Sequence, residues 1–412
     1  MRVCRHVVPR CRSCAASPIL HAVQYFSPST VASLDHLLNP TPEHRMLRDT
    51  VRRFATDRLE PQAMQSDSDM RFNVELLQEL GELGVLGVTV PEEAGGAGMD
   101  ATAAVIVHHE LSRVDPGFCL AYLAHSMLFV NNFYHASSAA QRERWLPKVL
   151  SGEHVGAMGM SEPGAGTDVL GMTTTAKRLD GGRYLLSGGK AWVTNGTAAD
   201  VVLVYAKVEG RISAFVVERG TPGFTVGPKI DKCGMRGSHM CQLFFDGVEL
   251  GGENLLGGEG EGVVAMMRNL EIERLTLAAM AVGIADRCVE LMTRYASERV
   301  AFGQPIWNYG QIQRYMAETY AETEAAKALT YAVSGSVCST RCNRLGSDAA
   351  KLFSAPVAKR AADNAMQVMG AMGYARQMPV ERLWRDAKLL EIGGGTLEAH
   401  HKNIAKDLIR CL

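Results

Sequence analysis

Two glycine-bearing stretches and one pair of carboxylates carry the chemistry that can be read from this 412-residue chain. The first stretch, Met158 to Asp168, reads MGMSEPGAGTD. Gly159, Gly164 and Gly166 let a backbone approach a ligand closely and adopt positive φ, Pro163 stiffens the turn, and Ser161, Thr167 and free amide N–H groups remain to donate hydrogen bonds. The second, Lys190 to Gly196, reads KAWVTNG and sets the aromatic Trp192 beside Thr194 and Asn195. Either alone is an ordinary turn after a strand; together they suit a flat cofactor rich in acceptors, a flavin above all. The carboxylates are Glu271 and Glu273, within MMRNLEIERLTLAAM from Met266 to Met280. Two residues apart on a helix is about 200° of rotation, so they face different ways. Arg268 and Arg274 stand three residues either side of Glu271, which reads as a paired, solvated carboxylate. Glu273 shares its face with Met266, Asn269, Leu270, Thr276, Leu277 and Met280, where an unpaired carboxylate is costly and its proton affinity rises. That is the setting of a general base.

Further stretches follow in order: AHSMLFV at Ala124, RVAFGQPI at Arg299, QVMGAMGY at Gln367 and RDAKLLEIGGGT at Arg385. With the first two motifs they resemble the acyl-CoA dehydrogenases, FAD enzymes that desaturate acyl-CoA thioesters, over nearly all of the chain after Asp35. The resemblance implies FAD contacts from Met158, Met160, Ser161, Thr167, Trp192, Val193 and Thr194, completed by Thr396, Leu397 and Glu398. Arg299, Gln311, Gln367, Val368, Met369, Gly370 and Ala371 would reach the FAD of a neighbouring subunit, which implies a homotetramer built as a dimer of dimers. Thr167, Glu271, Arg274, Gly394 and Gly395 would contact the acyl-CoA substrate.

Where many straight-chain members of that family carry Tyr-Glu before the last Gly-Thr, this sequence has Gly393-Gly394 before Gly395-Thr396. It is similar there to the isovaleryl-type branch, whose base sits on the helix of Glu273, at the matching position. Losing two bulky side chains should widen the pocket wall, so a short branched acyl group is expected, isovaleryl-CoA first, as in leucine catabolism, and a long straight chain second. In such a site the base takes the proton beside the thioester carbonyl, a hydride leaves the next carbon for the flavin, and a backbone N–H stabilises the developing enolate. The implied electron acceptor is an electron-transferring flavoprotein. An oxidase using oxygen, and a non-catalytic DNA-associated flavoprotein of the same fold, are the competing readings.

The elements that must position these residues come in three blocks. Residues 35–154 read as an all-α domain: Thr41 and Pro42 signal a helix start, Met46, Val51, Phe54 and Leu59 recur near helical spacing, and further helices are expected at Val74 to Leu83, Ala101 to Val114, Phe118 to Tyr134 and Ala139 to Leu150. Residues 155–261 hold short β-rich runs, with Asp180-Gly181-Gly182 as a hairpin turn, and predict a small closed antiparallel domain that is barrel-like. Residues 262–412 predict a bundle of long helices, about Gly262 to Arg299, Gly310 to Val337, Ser347 to Met372, Val380 to Ile392 and Leu397 to Ile409. This α, β, α order is an α+β multidomain fold and does not fit a doubly wound α/β sheet.

Composition agrees with that reading. The chain is 47% hydrophobic and 21% charged, with a net charge of −1 that argues against wrapping nucleic acid. No apolar run approaches the ~20 residues of a membrane helix, so no membrane insertion is expected. Residues 1–34 carry Arg2, Arg5, Arg10 and Arg12, five serines and no acidic residue before Asp35, the composition of a mitochondrial presequence directing the protein to the matrix. The ten cysteines include the pairs Cys11/Cys14 and Cys338/Cys342, neither with a second ligand pair at zinc spacing, and read as reduced thiols. Adjacent histidines, His108-His109 and His400-His401, point about 100° apart on a helix. No metal is expected.

Overall fold

The computed structural model describes residues 32–337 and 343–410. Cys11, Cys14, Cys338 and Cys342 fall outside them, as does nearly all of the expected presequence. The chain opens with α1 (Ala32–Leu38), α2 (Pro42–Phe54), a π-helical turn at Ala55–Leu59, α3 (Glu60–Asp69) and α4 (Val74–Glu82). Thr41 caps α2, its side chain accepting from the His44 N–H, with Pro42 in the first turn. Met46, counted in the apolar stripe of α2, is instead exposed, while Val51 and Phe54 are buried.

Next come α5 (Ala101–Val114) and α6 (Pro116–Leu123). The expected helix from Phe118 to Tyr134 is not uniform, because Ala124–Asn131 winds as a π-helix before α7 (Asn132–Ala136). The wider turn falls on the AHSMLFV motif, as π segments often fall near functional sites. Ser138 and Gln141 form a capping box that starts α8 (Ala139–Leu150).

The middle of the chain forms one eight-stranded sheet. Its strands are β1 (Gly156–Gly159), β2 (Thr175–Arg178), β3 (Tyr184–Thr194), β4 (Val201–Val208), β5 (Arg211–Glu218), β6 (Phe224–Val226), β7 (Met240–Leu250) and β8 (Leu255–Leu256). The turn at 180–182 joins β2 to β3 antiparallel, as expected. The sheet departs from a closed antiparallel design in two ways. β4 takes β1 and β2 as parallel partners, and the path runs openly from β6 through β7, β3, β2, β4 and β5 to β8. Parallel pairing needs a crossover, here the chain that returns through β3 before reaching β4, and no periodicity within one strand records it.

The second helical block is α9 (Gly262–Glu298), α10 (Gly310–Ser334), α11 (Arg344–Met369), α12 (Ala371–Tyr374), α13 (Pro379–Leu390) and α14 (Leu397–Arg410). One apolar core joins both helical blocks, with Leu76, Leu80, Val107, Leu111, Leu277, Met280, Ala358 and Leu383 all buried within it. α9 is therefore central: it packs on α5 and α11 and also touches β5. His108 and His109 are absorbed there, His108 bonding the Ala104 carbonyl and His109 lying between Tyr331 and Asp286. Among the described residues no group of three or more His, Cys, Asp or Glu could hold a metal ion, and no helix is long and apolar enough to cross a membrane.

Candidate active site

The first motif is stitched to the second by a buried ion pair. After β1, Glu162 and Ala165 exchange backbone hydrogen bonds of 3.0 and 3.1 Å, folding the loop into a tight turn. The Glu162 carboxylate points inward and accepts from Thr173 N–H at 2.6 Å, Thr173 hydroxyl at 2.7 Å, Thr174 N–H at 3.0 Å and Lys190 Nζ at 2.8 Å. Lys190 Nζ also donates to the Met160 carbonyl at 3.2 Å, and the Ala191 N–H to the Ser161 carbonyl at 2.9 Å. Burial pushes the Glu162 carboxyl up, but Lys190 and the two threonines outweigh it and hold it down at about 2. With the pair beneath, Pro163, Gly164, Gly166, Thr167 and Asp168 face outward, while Met158, Met160 and Ser161 are half-buried. The opposite charges embedded in the two motifs were the signal for this clamp, and motif reading alone missed it.

Positive φ was expected at Gly159, Gly164 and Gly166, and none of the three has it. The strained positions are Trp192 at φ 61° and Asn195 at φ 66°. A register shift between Lys190 and Val193 on β3 produces the bulge. It sends Val193 into the core and leaves Trp192 60% exposed, with Thr194 half-buried beside it. Asn195 holds the bend by donating from Nδ2 to the Ala121 carbonyl at 2.8 Å. A large aromatic held out in a left-handed conformation, next to an open hydrogen-bonding loop, is the kind of strain that persists at ligand clamps. The two motifs thus present an open aromatic wall beside donors, which fits a flat acceptor-rich ring.

On α9 the face of Glu273 is as expected: Met266, Asn269, Leu270, Thr276, Leu277 and Met280 are all buried. Glu273 is itself buried, and among the described residues its Oε2 has no hydrogen-bond partner. Burial pushes its carboxyl up to about 7, against the opposing pull of Arg274 and Lys351. Opposite it lies the Gly393–Gly395 bend between α13 and α14, with φ 66° at Gly394 and 103° at Gly395. A Cβ at Gly394 would stand 2.2 Å from Leu277 Cδ1 and 3.4 Å from Glu273 Oε1. No side chain fits at 394 while Glu273 and Leu277 occupy that space. The expected widening of the pocket wall is therefore corrected at this residue, where Leu277 fills the volume, and remains open only at Gly393, where a Cβ would meet ordinary contacts at 3.6 Å.

Glu271 is not the solvated carboxylate that its arginine neighbours suggested. It is buried, accepts a hydrogen bond from the Asn343 backbone N–H, and burial pushes its carboxyl up. Arg274 turns instead to Asp348 of α11, at 3.0 Å. The i±3 spacing is right for helix pairing, but the segment entering α11 covers this side of α9 and takes both groups.

The remaining residues lie apart in the single chain, some exposed and some buried. Arg299 follows the last turn of α9, Gln311 sits in the first turn of α10, and both are exposed. At the end of α11 Gln367, Gly370 and Ala371 are exposed while Val368 and Met369 are core, with Gly370 at φ 58°. Thr396 caps α14 by accepting from the Ala399 N–H at 3.3 Å; Leu397 is half-buried and Glu398 exposed.

A mixed β-sheet thus sits in sequence between two helical blocks and carries a clamped aromatic loop, and the central helix carries a buried carboxylate. The chain belongs to the acyl-CoA dehydrogenase family: its N-terminal domain matches residues 41–153, its middle domain 157–248 and its C-terminal domain 260–409. It is 38% identical over 389 residues to a mitochondrial isovaleryl-CoA dehydrogenase of Oryza sativa subsp. japonica, covering 93% of this chain and 94% of that one. It is also 38% identical to an acyl-CoA dehydrogenase of Bacillus subtilis (strain 168), covering 90% of this chain and 99% of the relative. Among solved structures, butyryl-CoA dehydrogenase from Megasphaera elsdenii superposes with a TM-score of 0.87 at 33% identity, over 90% of this chain and 98% of the other.

Proposed function

We propose that this protein is an FAD-dependent dehydrogenase of a short branched acyl-CoA, isovaleryl-CoA first, with Glu273 as the base and an electron-transferring flavoprotein as acceptor. The observation that carries the proposal is the packing of an unpartnered, buried Glu273 against Gly394, the position where many relatives of this family carry their carboxylate. Met158, Met160, Ser161, Thr167, Trp192, Val193 and Thr194 fit one FAD, and bound FAD would supply the hydride acceptor. Arg299, Gln311, Gln367 to Ala371, Thr396, Leu397 and Glu398 would complete the FAD sites across a homotetramer. Glu273 takes the proton next to the thioester carbonyl, and the apolar face around it excludes water, so the carboxylate is destabilised when charged and basic enough to act. Glu271 and Arg274, both buried, would line the substrate side with Gly395. The names of the mitochondrial relatives support a mitochondrial location, and the matrix is the compartment proposed within it.

Two outcomes test this reading. Purified protein should carry the visible absorbance of oxidised flavin, released on denaturation, and reconstitution with excess FAD should give one flavin per chain; folded protein that stays colourless would end the cofactor assignment. Across isovaleryl-, isobutyryl-, butyryl- and palmitoyl-CoA, kcat/KM should be highest for isovaleryl-CoA, with palmitoyl-CoA at least tenfold lower, the scale of one to two poorly fitted methylenes. A palmitoyl-CoA preference would overturn the short branched chain in favour of the long straight one.

A further inference from the structure

Behind the glycine bend lies a buried polar cluster that proton abstraction does not itself use. Asp348 and Lys351, one turn apart on α11, are both fully buried. Lys351 Nζ donates to the Gly395 carbonyl, and His400 of α14 reaches the same oxygen through Nε2 at 3.1 Å. The other His400 nitrogen meets Asp348 Oδ1 at 2.6 Å, the oxygen that also pairs with Arg274 at 3.0 Å. At φ 103° Gly395 adopts a conformation that side chains avoid, and its carbonyl is thereby turned to α11.

The charges do not balance evenly across this cluster. Asp348 is engaged by Arg274 and His400, so Arg274 is already spoken for. Among the described residues Lys351 has no carboxylate within ion-pair distance, and its single hydrogen bond is to a neutral carbonyl. A carbonyl needs only a neutral donor, whereas a buried ammonium without a direct counter-charge is costly. The largest charge effect on Lys351 comes from Glu273, ahead of Arg274, Asp348 and Glu391, and burial draws its amine down to about 8. Arg274 on its own helix, Lys351 on α11 and Tyr205 on β4 interact with Glu273, while Asp348 on α11, Glu391 after α13 and His400 on α14 surround Lys351. Among the described residues, Arg274 and Lys351 are the cations that act on Glu273.

We infer that Lys351 is a positioning residue for proton abstraction: it ties the Gly394–Gly395 bend against Glu273 and holds a fixed positive charge beside that carboxylate. This rests on the reading of Glu273 as the base. With the cation in place Glu273 ionises at a lower pH than its burial alone would allow, so the enzyme keeps an ionised base near neutrality.

The test is the pH profile of the anaerobic flavin-reduction rate with isovaleryl-CoA, measured on FAD-loaded holoenzyme. Lys351→Gln keeps a donor for the Gly395 carbonyl and removes the charge, and its acidic limb should move up by at least about one pH unit, the scale of losing one nearby opposite charge. Lys351→Arg keeps the charge, and its limb should stay within about 0.3 unit of wild type. A limb unmoved in the Gln variant overturns the inference, and so does a limb shifted by a unit in the Arg variant, which stands as the test should the Gln variant fail to accumulate. Failure of the underlying reading looks different: Glu273→Gln would then reduce its flavin normally, whatever Lys351 does.

Discussion

Replacing Glu273 by Gln is expected to lower the rate of substrate-driven flavin reduction by at least ~10³-fold, towards the upper part of the range for a positioned base. Gln preserves volume and the contacts to Leu277 and Gly394, so FAD content and acyl-CoA affinity should survive, which a binding titration checks. Stability supplies an independent sign. Burial raises Glu273 to about 7, above the ~4.3 of an unfolded glutamate, so the folded state favours the protonated form. That contribution is fully present below about pH 4.3 and is lost as pH rises through 7, where the charged carboxylate becomes a cost. The Gln variant should therefore melt at or above the wild-type temperature at pH 8. A buried carboxylate whose Oε2 has no hydrogen-bond partner among the described residues is a cost to the fold, which agrees with the proposed chemical role.

The second large effect is expected at the clamp beneath the cofactor loop. Lys190→Met should destabilise the protein by about 3–5 kcal/mol, because it leaves the Glu162 carboxylate buried and without its cation. The side chains of Lys190 and Glu162 are only 0% and 4% exposed, so solvent cannot take over the charge. Chemical denaturation reads the loss directly, and flavin retention should fall with it, since Trp192 and the MSEPGAGTD loop share that clamp. The sign with pH is opposite to that of Glu273: held down at about 2, Glu162 contributes stability that is present above its unfolded value and disappears as pH falls towards 2. The double variant Glu162→Gln with Lys190→Met should recover part of the loss, because no unpaired charge remains. A single variant as stable as wild type would show that the pair does not hold the two motifs together.

What could be read from the sequence was local. Helices α5 and α8 were legible nearly to the residue, because Asp100 and Ser138 cap them with side chains adjacent in sequence. The face of Glu273 was legible for the same reason, since helical periodicity brings Asn269, Leu277 and Met280 onto its side. β1 and β8 were not, being four and two residues long and held by partners rather than by any pattern of their own. The π turn through AHSMLFV has no periodic signature either. Glu271 was misread because its burial is imposed by Asn343, 72 residues away, and by Asp348, which draws Arg274 off. Strain moved from the glycines to Trp192 and Asn195 because the bulge on β3 is set by pairing with β7. Apart from the π turn and Met46, each miss concerns a contact between segments apart in sequence, which propensity and spacing do not encode.

The central claim is that Glu273 and not Glu271 removes the proton. Rapid anaerobic mixing of isovaleryl-CoA with FAD-loaded wild-type protein, Glu273→Gln and Glu271→Gln tests it in one experiment, by following loss of the oxidised flavin absorbance. Wild type should bleach rapidly, Glu271→Gln with a much smaller loss of rate, and Glu273→Gln at least ~10³-fold more slowly while still binding substrate. A Glu273→Gln protein that bleaches at close to the wild-type rate, with Glu271→Gln inert, would contradict it.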